Sequence, residues 1–294
     1  MGYFYLILSK IAAIIKMISV KKCGSIAKGA KNSVKINLLR SLGCLAVSIV
    51  VCLFSGFHEM TKIGIFLAIL SGVSNGLLLW SWILAATDAP MITVEVFCMI
   101  GGVVIPLIIS PLMLEGESVT LLQWIGSLLL FLAMFCLSKR RGNARTTPKS
   151  ILFMCIAGLS NAGCVITQKF YQSFKGGTVA DFQLGTFIFT VTVLAFVLLL
   201  MNLFKKDNSE KIKESLSKKV LFFITVAFIM TYASQFLSTV ASGRIAAAVL
   251  YPLAYVISMP LIFIVDVLVF KEKITPLNVM GIMLVTASGI LINI

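Results

Sequence analysis

Among long apolar runs, a few polar side chains stand where protein or a water-filled cavity, not lipid, must satisfy them. Glu95 is foremost, one turn into the stretch MITVEVFCMIGGVVIP. A carboxylate there suits a cationic substrate group or a coupling proton. It equally suits an interfacial or ion-paired structural role, with Lys10 or Lys16 as partner. Four further pairs recur at helical spacing. Asn75 and Trp82 are seven residues apart, as are Asn161 and Gln168; Tyr232 and Gln235 are three apart, and Tyr251 and Tyr255 four. Each pair shares a helix face, which makes these residues, with Glu95, candidates to line one central substrate cavity. The competing account is interhelical hydrogen bonding and aromatic packing. Asp266 stands near Lys271, which points to interfacial solvation, and Lys169 closes its helix, placed to snorkel.

Catalytic patterns are missing from the sequence. It has no G-x-S-x-G, no H-E-x-x-H, no Walker loop and no cysteine with a histidine base, so an enzyme is not expected and no cofactor is implied. His58, the one histidine, has no Cys or His at ligand spacing, so no metal site is expected. Cys44, Cys52, Cys98, Cys136, Cys155 and Cys164 lie within apolar segments without a C-x-x-C pair and read as small apolar helix residues.

The elements that must carry these residues are helices. Apolar runs near the roughly 20 residues that cross a bilayer recur without period-two alternation. They predict ten transmembrane helices near 2–20, 38–57, 63–86, 92–114, 119–138, 150–170, 182–204, 220–240, 246–270 and 276–294. The first lacks a basic region ahead of it and is interrupted by Lys10 and Lys16, so it reads as a helix and not a signal peptide. Gly72 and Gly76 form a G-x-x-x-G, which predicts close packing. Gly101, Gly102, Pro106 and Pro111 interrupt the fourth helix, and Pro252 and Pro260 the ninth, at matching depth. Such paired interruptions mark a transporter's midplane site and moving parts. Gly101, Gly102, Pro106, Pro252 and Pro260 are therefore the expected hinge and gating positions.

The chain repeats itself. A shift of 155 carries Ala86 onto Ala241, Val94 onto Val249, Ile109 onto Ile264, Glu117 onto Glu272, Thr120 onto Thr275, Gly126 onto Gly281 and Leu129 onto Leu284. Pro106 falls one register step from the counterpart of Pro260. Five helices per unit invert the second against the first, giving an all-α integral membrane fold of two inverted five-helix repeats. The expected division is 1–138, a basic linker 139–149 carrying Pro148, and 150–294.

At 294 residues, 59% hydrophobic and 12% charged, with mean hydropathy +1.05, the chain has too little polar surface to coat a soluble globule. Its net charge of +14 sits in short runs between apolar segments, which excludes nucleic-acid binding as the expected use. The loop at 205–219 places Glu210 and Glu214 four residues before Glu214 and Lys218, the spacing of a short exposed helix, or else it is a solvated connector. Eighteen Lys and Arg fall on one face, at 21–35, 139–149, 205–219 and 271–273; Lys62, Lys175 and Arg244 are on the other. The positive-inside rule makes the first face cytoplasmic and puts both termini outside.

The stretches PLMLEGESVTLLQWIG and VDVLVFKEKITPLNVMG, each a Pro-containing helix, a hairpin with a glutamate and a last helix opening near a glycine, resemble the drug/metabolite transporter superfamily, EamA type. SGRIAAAVLYPLAYV and ITQKFYQ further resemble bacterial, Firmicutes-like members. The resemblance covers nearly the whole chain. It implies a ten-helix basket in the bacterial plasma membrane, working by alternating access on small organic metabolites or drugs, often in export, with proton or ion coupling open. It also implies cytoplasmic termini, against the loop charges. The alternatives are a lipid-linked carrier flippase with a cavity open to lipid, or a non-transporting receptor or assembly partner that docks through its basic loops. A homodimer is compatible with the sequence but has no support in it.

Overall fold

The computed structural model describes residues 1–26, 30–88, 91–138, 147–204, 218–269 and 276–293. The side chains of Glu95 and Asp266, the linker 139–146, most of the 205–219 segment and residues 271–273 lie outside the described residues. The described chain is all helix: α1 (Gly2–Ile26), α2 (Ala30–Ser55), α3 (Lys62–Asp88), α4 (Met91–Met113), α5 (Leu121–Ser138), α6 (Pro148–Ser173), α7 (Val179–Phe204), α8 (Lys218–Ser242), α9 (Ala247–Leu268) and α10 (Pro276–Asn293). Eight are long and apolar enough to cross a membrane, and shorter apolar stretches, Phe97–Met113 and Leu121–Ala133, lie in α4 and α5. Leu53, Phe54, Leu112, Leu203 and Leu268 are among many large apolar side chains that face outward, the surface of a multi-pass membrane protein.

Helix positions follow the apolar runs, with one correction. The lysine-rich segment expected as a loop after the first helix is largely helical: Lys21 and Lys22 extend α1, and Lys31 and Lys35 open α2. Lysine is a good helix former and is hydrated beyond the bilayer, so nothing stops these helices at the membrane surface. Pro148 starts α6 behind an N-cap, Thr147, whose side chain accepts from the Ser150 amide in a capping box. The prolines of α4 and α9 sit inside unbroken helices. Each lacks an amide hydrogen, so Pro106 leaves the Gly102 carbonyl, and Pro260 the Val256 carbonyl, without its donor four residues on.

Packing is helix on helix. α1 lies along α8, α3 along α6 and α5 along α10; α7 takes α2 and α3, while α4 contacts α6 and α9. One core joins Met99, Val103 and Leu107 of α4 to Leu130 of α5, Ala248 of α9 and Val285 of α10. Gly72 and Gly76 press α3 onto Phe189 and Val193 of α7, as the G-x-x-x-G spacing predicts.

Candidate functional site

Halfway along α6, Asn161 Nδ2 donates to the Cys98 carbonyl of α4 at 2.8 Å and to the Tyr255 hydroxyl of α9 at 2.9 Å. The Tyr255 ring carries the Lys10 ammonium of α1 above it, 5.9 Å from the ring centroid. Four helices therefore meet at one polar node. Local sequence makes the room. A side chain at Gly102 would strike Asn161 and the Tyr255 hydroxyl, and one at Gly101 would strike the backbone of Gly158, where α4 crosses α6. The Gly102 carbonyl that Pro106 leaves without a helical donor lies beside this node. The arrangement offers a cation, an amide and an aromatic face at mid-helix depth.

A second polar centre lies toward the end of α6. Lys169 is not a snorkelling terminal residue: its ammonium is buried, 3.0 Å from Glu117 Oε1, and donates to the Ile245 carbonyl at 2.8 Å. The other carboxylate oxygen of Glu117 accepts from the Ala247 amide at 2.8 Å, at the first residue of α9. Snorkelling fails here because the α4–α5 turn brings a carboxylate to the ammonium, and the start of α9 adds a carbonyl. One carboxylate thus ties the segment after α4 to the start of α9, the two proline-bearing helices. Tyr251 is buried beside Ser110 at this end.

A third centre opens α7. Asp181 accepts a short hydrogen bond from Thr178, and its carboxylate lies 3.8 Å from His58 Nδ1 and 3.9 Å from Cys52 Sγ. Its amide donates back to Thr178 Oγ1 at 3.3 Å. This is an N-terminal carboxylate that complements the helix dipole, with His58 as an exposed neighbour.

The remaining candidates are spread over different seams, so the structure does not bring all nine to one cavity. Asn75 donates to Thr190 Oγ1 at 3.1 Å in the α3–α7 seam, and Trp82, half-buried, packs against clusters around Ala157 and Val197. Gln168 accepts from Ser238 of α8 at 3.2 Å. Tyr232 is buried between Cys44 and Phe187, with no hydrogen-bond partner for its hydroxyl among the described residues. Gln235, a helix turn along α8, is half-buried. Of the paired candidates, Asn161 and Tyr255 are joined directly, by a hydrogen bond. Sequence reasoning gave Glu117 only a repeat-marking role, Lys10 only a partner's role, and Asp181 none. Thr178 three residues before Asp181 is a helix-start signal that would have found the last.

Chains among solved structures share this architecture, and 28 of them match. One, described only as a crystal structure of protein, aligns with TM-score 0.67 over 96% of this chain and 98% of its own at 14% identity. At that identity the likeness shows the fold alone. No family model and no curated protein matches the chain.

Proposed function

We propose that this chain is a secondary transporter of small organic metabolites or drugs, of the EamA drug/metabolite kind, exporting them across the bacterial plasma membrane by alternating access. In this reading all ten helices span, and residues 1–138 and 150–294 are inverted halves. The helix contacts support it. Exchanging each of the first five helices with the one five later turns the α3–α6 contact into α8–α1 and the α3–α7 contact into α8–α2, and leaves α5–α10, α2–α7 and α4–α9 as themselves. Such self-mapping is what a pseudo-two-fold axis requires.

The observation that carries the transport reading is the node of Lys10, Asn161 and Tyr255, placed where the proline-bearing helices α4 and α9 meet α6 and α1. Rocking of the halves about these prolines would expose the node to each face in turn. The Glu117–Lys169 pair closes the less basic face and must part for that face to open. Spacings of three and seven put position 95 in helical register with Cys98 and Gly102, which keeps Glu95 as the candidate for charge recognition or proton coupling. Flux of Glu95→Gln equal to wild type across a range of pH would remove it from that role.

The test is metabolite profiling inside and outside cells with the gene deleted, restored and overproduced. A solute class that moves reciprocally between the two pools supports transport; pools that never respond to dosage, with folded protein in the membrane, count against it. The lipid-carrier alternative has one observation in its favour. An open apolar groove between α9 and α10 is lined by Leu253, Val256, Pro260, Thr286 and Gly289. It predicts that polar substitutions at Val256 and Gly289 abolish function while Asn161→Ala does not.

A further inference from the structure

Lys10 lies in the middle of an apolar, membrane-length stretch, Gly2–Val20. Its ammonium has three hydrogens to place, and its contact in the structure is the face of the Tyr255 ring. The carboxylates that pair with cations among the described residues, Glu117 and Asp181, are at helix ends and are committed to Lys169 and to Thr178 and His58. Charge of the same sign lies nearby. Lys16, further along α1, repels Lys10, and Lys16 and Arg40 of α2 both act on Cys44. Lys16 and Arg40 each make a further interaction; among the described residues the contact that Lys10 makes is with an aromatic face.

A cation at this depth is costly unless something negative visits it. Resting on the transport reading above, we propose that Lys10 recognises the charge of the solute at the mid-bilayer node and that the transported solute is a small organic anion, which leaves proton coupling as the role open to Glu95. Its acidic group pairs with the Lys10 ammonium, its apolar or aromatic body lies along Tyr255, and Asn161 holds the Tyr255 hydroxyl so that the ring stays presented. The ring face is a weak placeholder that an anion displaces, since a charge-assisted hydrogen bond outweighs a cation–π contact.

The experiment uses the full chain in proteoliposomes, loaded with a deproteinised small-metabolite extract of the producing cells. Mass spectrometry follows which solutes leave faster than from protein-free vesicles. Wild type, Lys10→Gln and Lys10→Arg are reconstituted at equal density and checked for monodispersity. The expected result is that the accelerated solutes carry net negative charge at neutral pH. Lys10→Gln slows their release by about tenfold or more, as truncating one member of a buried charge pair does, and Lys10→Arg retains the anion class. Accelerated solutes that are cationic or neutral, or anion release by Lys10→Gln at the wild-type rate, overturn the inference and leave transport standing. No accelerated solute at all overturns the transport reading beneath it.

Discussion

Gly102 shows how much a single residue decides. It leaves the space in which Asn161 reaches the Tyr255 hydroxyl, and a side chain there would strike both. Gly102→Val is expected to cost roughly 1–3 kcal/mol through overpacking and to abolish flux, with thermal unfolding of the purified protein and vesicle flux as the two measurements. Lys169 makes a complementary case. Its removal as Lys169→Met leaves the Glu117 carboxylate buried without its cation, a loss on the order of 3–5 kcal/mol. Adding Glu117→Gln should restore much of that loss, because no lone charge then remains and the amide oxygen can still accept from the Ala247 amide. A double-mutant cycle in a denaturation assay reads the coupling; additive losses would show that the pair contributes nothing.

On the proposed transport reading, the two proline-bearing helices are where local chemistry would become movement. α4 and α9 each hold two prolines and continue through them, which leaves carbonyls without helical donors and weakens resistance to bending at those depths. Pro106→Ala restores one such bond. It is expected to raise the unfolding temperature and lower the turnover rate, with substrate affinity unchanged; a turnover equal to wild type would show that α4 does not bend there during the cycle. Glu117 pins the ends of both helices on one face. In Glu117→Gln, Cys98 and Cys164 should label faster with a membrane-impermeant thiol reagent added from the less basic side, compared with the same reagent added from the other. Equal labelling of variant and wild type would deny the pair a gating role.

For the molecule as a whole, orientation is a matter of charge, and here loop charge and the EamA resemblance disagree. The eighteen cations on one face predict that a phosphatase reporter fused at the C-terminus is active outside while a fluorescent protein there stays dark; the reverse pattern would side with the resemblance. Much of the architecture was legible in the chain. Apolar run length and the charged turns between runs located all ten helices, because a helix in lipid satisfies its own backbone and announces itself by composition. What spacing could not tell was which faces meet. Asn75 and Asn161 look alike in sequence, each an asparagine within an apolar helix with a partner two turns on, yet one bonds Thr190 in a helix seam and the other holds Tyr255 at the central node. Glu117 and Lys169 stand 52 residues apart, and their ion pair comes from folding the α4–α5 turn against the end of α6. The sequence by itself determined the helices and their order, since these depend on local hydrophobicity. Tertiary packing alone decided which polar groups are partnered, because a buried charge or amide is satisfied by whatever helix lies opposite it.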